Sequence, residues 1–341
     1  MTIIIGIDPH KATHTAVPID EHEAPLAEFQ LVADRCQAQR LLAWAAPFED
    51  RAWAVESADG LGKLLSQQLV AEGEHVIDVP ATLAARVRLL GSAKASKNDP
   101  NDALSTAVAG LRHCGLRRVA ADDHRVAVRM LVRRFGDVTA RRTQAVCRLH
   151  AVLIELIPGG MVRKLKADQA SAALRKVRTD NPVDVARKAI AAELVLDMRR
   201  CDQELVELRK RIADAVDASG TTLLEVYGVG PIVAALILGY AGDPARFPTK
   251  EKFAAYNGTA PIEASSGPKA RHRLNPRGNR KLNHAMHLIA VTQVRHAGTP
   301  GRIYYDRKLA EGKTKKEALR ALKRRVSDAV WRQLQVDLGR R

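Results

Sequence analysis

Thr2-Ile3-Ile4-Ile5-Gly6-Ile7-Asp8 is a β-branched run that ends abruptly in a carboxylate. Branched side chains fit a pleated surface and lose rotamer freedom in a helix, so the run predicts a buried strand. Downstream, His14 to Ile19 and Leu26 to Val32 have the composition of antiparallel neighbours. Cys36 to Ala46 then shows helical spacing through Leu41, Leu42 and Trp44, and Pro47 ends it. Ala52 to Glu56 is strand-like, Leu61 to Val70 helical, and His75 to Val79 another buried strand run. Pro80 opens a further helix, since proline is tolerated in the first helical turn.

Three strands followed by alternating helix and strand is the order of a ribonuclease-H-like α/β domain, although pattern alone leaves other mixed α/β folds open. From about residue 121 the strand signal disappears. Val128, Leu131, Phe135, Val138, Ala145, Leu149, Val152 and Leu156 recur mostly every three or four residues, with Arg142 interrupting the stripe. Pro158-Gly159-Gly160 stops that helix. Ile190, Leu194, Met198, Cys201, Leu205, Leu208 and Ile212 form a second stripe. Two long helices of this kind read as an antiparallel or intermolecular coiled coil, or as an ordinary bundle. Residues 163–185 read as a mobile connection. Near Thr221 begins a helix, glycine turn, helix pattern, in which Gly228 and Gly230 permit the turn and Pro231 starts the next helix. Exposed amides at such a start can hold a phosphate, and a plain helix corner would look the same. The expected architecture is therefore α/β plus α, with an N-terminal domain over 1–115, a helical segment over 116–217 and a mainly helical domain over 218–341.

Charge points to a polyanion. The chain has 341 residues, with 55 Lys and Arg against 38 Asp and Glu, for a formal charge of +17. No acid occurs between Glu263 and Asp306, an interval that carries Lys269, Arg271, Arg273, Arg277, Arg280, Lys281, Arg295 and Arg302. A second cluster, Lys313, Lys315, Lys316, Arg320, Lys323, Arg324 and Arg325, follows in the tail. Concentration of the excess in the C-terminal part fits a phosphate-contacting surface. Aromatics are only 4% of the chain, fewer than base-stacking platforms use, so backbone or duplex recognition fits better. With 46% hydrophobic residues the chain can build proper cores. Cys36, Cys114, Cys147 and Cys201 are scattered and read as reduced residues of a cytosolic protein. No apolar stretch is long enough to span a bilayer, and no signal-peptide pattern opens the chain, so no membrane partner is expected.

Four acids stand where an α/β core would gather them. Asp8 ends the first strand and Glu56 the later one. Asp99 and Asp102 lie three apart in Lys97-Asn98-Asp99-Pro100-Asn101-Asp102-Ala103, on one face at the start of a helix. Each alone could be a cap or a surface acid. As a set they repel one another unless a cation is present, and hard oxygen ligands select Mg2+ or Mn2+. A basic protein with such a set is a candidate nucleic-acid-cleaving enzyme.

The other chemical segment is Tyr256-Asn257-Gly258-Thr259-Ala260-Pro261-Ile262-Glu263-Ala264-Ser265-Ser266-Gly267, leading into the basic run from Lys269 to Arg280. A serine beside glycine amid arginines could be a nucleophile for a phosphodiester, or one donor in a phosphate-gripping loop. His284 and His287, three apart with no third ligand in sight, read as a helix-face pair rather than a metal site.

Over nearly its whole length the chain resembles the insertion-sequence one-ten family of transposases, relatives of the Piv-type DNA invertases. The resemblance is carried by Ile5 to Asp8 (IGID), Val55 to Ser57 (VES), Lys97 to Ala103 (KNDPNDA), Gly228 to Pro231 (GVGP) and Tyr256 to Gly267, in that order. It implies a RuvC-like N-terminal domain with Asp8, Glu56, Asp99 and Asp102 as DEDD metal ligands. It also implies a coiled coil used in assembly, and a C-terminal domain whose serine, matching Ser266, attaches covalently to cleaved DNA, with Ser265 adjacent to it. A structured non-coding RNA would pair with donor and target DNA, and the metal site of one protomer would face the serine of another in a homo-tetramer built as a dimer of dimers. The setting implied is the bacterial cytoplasm, on the nucleoid. Lys281-Leu282-Asn283 stands where relatives often carry Leu-Arg. A RuvC-like structure-selective nuclease or an RNA-independent invertase would share most of these residues; a non-catalytic binding module would gain nothing from four clustered acids.

Overall fold

The computed structural model describes residues 2–91, 99–263, 272–273, 275 and 278–340. It divides into two compact units, Met1–Asp122 and Asp123–Arg341.

The first unit is built on a sheet of strands β1 (Ile3–Pro9), β2 (Thr13–Ile19), β3 (Phe29–Val32), β4 (Arg51–Glu56), β5 (Val76–Val79) and β6 (Arg117–Arg118), in the spatial order β3-β2-β1-β4-β5-β6. The hairpins β1–β2 and β2–β3 are antiparallel, while β1, β4 and β5 run parallel. This is the strand order expected of a ribonuclease-H-like sheet. The short β6, two arginines long, escapes the sequence pattern because it has no apolar face. Helices α1 (Gln37–Trp44), α2 (Lys63–Ala71), α3 (Ala81–Gly91) and α4 (Asp99–Arg112) complete the unit.

Period-two alternation sorts the sheet's side chains into two cores. Ile5, Ile7, Trp53 and Val55 pack with Leu41, Leu65 and Leu69 of α1 and α2. Ile4, Ala52 and Ala54 pack with Ala103 and Ala107 of α4 on the opposite face. Small residues let α4 lie very close to the sheet. A Cβ built on Gly6 would come within 2.1 Å of the Ala103 carbonyl oxygen and 2.5 Å of the Ala107 nitrogen, and one on Gly110 within 2.7 Å of Ala54 Cβ.

The second unit holds the long helices α5 (His124–Leu156) and α7 (Pro182–Ala218), with α6 (Ala167–Lys176) between them in sequence. α5 and α7 pack antiparallel. Arg187 donates to Glu155 at one end (2.7 Å), Arg141 to Glu204 further along (2.7 Å), and Val138 lies among Cys201, Leu205 and Leu208. Arg142, which breaks the apolar stripe in sequence, pairs across this interface with Asp202. In α7 the buried stripe starts at Ala191 and Val195; Ile190, expected inside, is 50% exposed. Its start is offset by a residue because alanine is a weaker apolar signal than isoleucine. The connection expected to be mobile over 163–185 contains α6, whose Ala167, Ala170 and Leu174 are buried with Leu165 against the long helices. Spacing of three and four was present there, but set among many charges.

A 3-10 turn, Thr222–Glu225, stands where the first helix of the glycine pattern was expected. It is followed by α8 (Pro231–Ala241), α9 (Lys250–Tyr256), the two-residue antiparallel pair β7 (Ile262–Glu263) and β8 (His272–Arg273), α10 (Arg280–Arg295), α11 (Pro300–Ala310) and α12 (Lys315–Gly339). Their core joins Val128 and Val132 of α5 and Ile212 of α7 to α8, Met286 and Ile289 of α10, and Val326 and Val330 of α12. Among the described residues no helix is long and apolar enough to cross a membrane.

Candidate metal centre and the nucleic-acid-facing residues

Asp8 lies one residue beyond Ile7, which pairs with Val55, so Asp8 and Glu56 stand at the same level near the ends of neighbouring parallel strands. Both continue the face that carries Gly6 and Ala54, the face covered by α4. α4 runs back along β1, with Gly110 over Ile4 and Ala103 over Gly6, so its first turn reaches the level of Asp8. That turn carries Asp99 and Asp102. Sheet register and one close helix–strand contact therefore gather all four predicted acids.

The gathering has an electrostatic signature. Asp8 is 7% exposed, and its carboxyl is pushed up to about 6, chiefly by burial and further by the negative charges of Glu56, Asp102 and Asp99, with His10 opposing. Among the described residues its Oδ2 accepts no hydrogen bond, and it lies 3.5 Å from His10 Nδ1. One ligand atom from each of Asp8, His10 and Asp99 falls within 4.8 Å of the others. Asp102, equally buried, is ion-paired with Arg88 of α3. Asp8, Glu56, Asp102, His10 and Arg88 line a common cleft of about 570 Å³. A buried carboxylate oxygen with no hydrogen-bond partner among the described residues, ringed by further acids, fits a hard divalent cation.

His10 and Arg88 were missed in the sequence. His10 follows Asp8 by two residues in Asp8-Pro9-His10, a spacing that puts both on one face of an extended chain. Arg88 gave no signal, since its partnership depends on how α3 packs against α4. Just beyond Glu56, Ser57 adopts a left-handed backbone (φ 50°), and its N–H donates to Val79 O at 2.8 Å. The valine-glutamate-serine motif thus ends β4 in a sharp turn at the cleft.

In the second unit, Gly228 has φ 89° and a Cβ built on it would stand 3.3 Å from Ile289 O of α10, so the turn needs glycine. Gly230 is the exposed cap position of α8, without a side-chain cap. Arg280 and Lys281 are exposed in the first turn of α10, where Asn279 accepts from the Lys281 and Leu282 amides at 3.1 Å. Arg273 is in β8. Ser265, Ser266, Lys269, Arg271 and Arg277 lie outside the described residues.

Sequence comparison agrees with this layout. Residues 220–306 match the family described as Transposase IS116/IS110/IS902, and residues 5–158 match a transposase family of the DEDD, IS110 type. The chain belongs to the IS116/IS110/IS902 family of transposases. It is 28% identical to the 44.8 kDa protein of insertion element IS116 from Streptomyces clavuligerus, over 97% of this chain and 94% of that one. It is 27% identical to the 42 kDa protein of insertion element IS900 from Mycobacterium paratuberculosis, over 96% and 94%. Among solved structures, Thermus thermophilus RuvC aligns with 34% of this transposase and 99% of its own chain, at 15% identity and a TM-score of 0.28. In this family member the DEDD label falls on a matched region that contains Asp8, Glu56, Asp99 and Asp102.

Proposed function

We propose that this transposase cuts and rejoins DNA for its insertion sequence with Ser266 as the nucleophile, and that a structured non-coding RNA chooses the sites. The observation that carries the reading is the convergence of Asp8, Glu56, Asp99 and Asp102 near the ends of the two central strands, in a chain whose basic excess lies elsewhere. These residues would hold Mg2+ or Mn2+, and His10 stands close enough to join them. A bound divalent ion supplies Lewis-acid stabilisation of charge developing on the phosphoryl oxygens.

In the serine step, a bond forms between Ser266 Oγ and the phosphorus while the bond from phosphorus to one sugar oxygen breaks. The serine proton is given up and the departing sugar oxygen is left to be protonated. Attack by another strand's sugar hydroxyl reverses the step and frees the serine, so the phosphoester count is conserved and no outside energy source is needed. Lys269, Arg271, Arg273 and Arg277, close to the serine in sequence, supply positive charge for the transferring phosphoryl group. Gly228, Gly230, Arg280 and Lys281 add backbone and side-chain donors for flanking phosphates.

RNA guidance accounts for an aromatic-poor, strongly basic chain in which no base-reading motif stands out. Heteroduplex recognition uses A-form shape and phosphates and leaves sequence to pairing. In this reading residues 1–115 carry the metal, 116–217 serve assembly into a tetramer, and 218–341 carry the serine. The test is recombination between donor and target DNA in Mg2+, with RNA from the flanking non-coding end of the element. Joined product that appears with the RNA and vanishes after ribonuclease treatment is expected. Undiminished product after that treatment would remove the guide.

A further inference from the structure

The second unit contains a pocket of about 300 Å³ lined by Arg280 of α10 and by Lys316, Arg320 and Lys323 of α12. Among the described residues, no carboxylate lies within ion-pair distance of any of these four cations. The pocket's other polar lining includes Thr259 and Asn283.

Its frame is built by the asparagine-glycine motifs. Asn257 is fully buried; its side chain donates to Ser327 Oγ of α12 at 2.8 Å and accepts from the Thr259 amide at 3.0 Å. Gly258, at φ 72°, lies against Gly278 so tightly that a Cβ on Gly278 would come within 2.4 Å of Gly258 Cα. Asn283 donates to Asn257 O at 3.0 Å and accepts from Lys323 Nζ at 2.7 Å. Together these contacts tie the end of α9 and the start of α10 to α12, and hold Lys323 half-buried at the pocket. Burial, with Arg280 and Arg320 nearby, pulls the Lys323 ammonium below its usual value. Burial and the same lysine also lower His287 beside the pocket.

Cations gathered around one space without a carboxylate in ion-pair distance, one of them (Lys323) fixed by a buried polar clasp, serve an anion. Four of them around one small space exceed what a single carboxylate or free phosphate neutralises, whereas a nucleic-acid strand brings successive phosphates. We infer that this pocket grips successive backbone phosphates of a nucleic-acid strand, with Lys323 as its anchor and Arg280 and Arg320 at its sides. The inference rests on the second unit being the strand-joining part. It gives the Tyr256–Thr259 and Gly278–Asn279 motifs a role of their own: they shape a phosphate seat on the chain segments that flank the serine.

Binding of the full-length protein to a labelled DNA duplex, a DNA single strand and an RNA strand, titrated with salt, tests it without any cleavage. Removing one phosphate contact lowers the slope of log affinity against log salt by about 0.9 on duplex DNA. Lys323→Gln is expected to weaken binding about tenfold and to reduce that slope by about one. Arg332→Gln, an exposed α12 cation outside the pocket, is expected to change much less. A loss confined to DNA or to RNA identifies which strand sits in the pocket. A folded Lys323→Gln protein with wild-type affinity and slope on all three probes overturns the inference. If that variant does not fold, Arg320→Gln carries the same criteria from an exposed position. Wild-type protein that binds none of the probes would instead overturn the nucleic-acid reading of the whole unit, a result distinguishable from failure of the pocket alone.

Discussion

Asp8 bears the electrostatic strain of the first unit. Its folded-state pKa of about 6 lies above the 3.8 of an ordinary aspartate, so the native state binds the proton more readily than the unfolded chain does. The metal-free protein therefore loses stability as pH rises from about 4 to about 6, and the loss is complete above that window. A divalent cation reverses the sign, because it favours the ionised carboxylate; metal affinity should fall as pH drops through about 6. Asp8→Asn is expected to raise the melting temperature of the metal-free protein by about 2–4 °C near neutral pH, and to abolish recombination. Calorimetry with and without Mg2+ checks this: the ion should raise the wild-type melting temperature and leave the variant unmoved. A variant that melts lower yet still responds to Mg2+ would show that Asp8 is not a ligand. Arg88, paired with Asp102, offsets part of the same repulsion when the ion is absent.

At the scale of elements, the site depends on how closely α4 lies on β1. Gly6 is the contact that permits it. Gly6→Ala forces a methyl group into the backbone of α4, and is expected to lower stability by about 1–3 kcal/mol. Because the displaced helix carries Asp99 and Asp102, the variant should also lose its thermal response to Mg2+; a full response would mean that the acids converge by some other route. Much of this architecture was legible in the chain. Branched residues mark β1 and β5, an apolar run marks β4, and an acid stands at or next to the last residue of β1 and β4. The docking of α4 was not legible. Its depth depends on Gly6, Ala103, Ala107 and Gly110, whose value lies in what they lack, and absence of bulk leaves no periodic signal. Arg88 was invisible for a related reason, since only the packing of α3 on α4 brings it to Asp102. His10 could have been found from its spacing to Asp8. In the second unit, alanine-rich faces misled the reading: Ala191 and Val195, not Ile190, start the α7 stripe, and Ala167 and Ala170 bury α6.

Over the whole molecule, the net positive charge is unevenly spread along the chain. The carboxylate cleft forms within Met1–Asp122, whereas the long acid-free interval and the basic tail lie within Asp123–Arg341. One unit attracts a cation and the other a polyanion, which is the division of labour a strand-transfer enzyme needs if the metal and the nucleophile act on one phosphate. In the proposed mechanism the serine gains from its setting in an acid-free interval, whose arginines offer charge to a transferring phosphoryl group. The most direct test traps the protein–DNA adduct on a denaturing gel in Mg2+, comparing wild type with Ser266→Ala and Asp102→Ala. A covalent adduct that disappears in Ser266→Ala, with joined product lost in both variants, is the predicted result. Cleavage that persists without Ser266 but fails without Asp102 would contradict it, and would make the carboxylates, acting on water, the whole of the catalytic site.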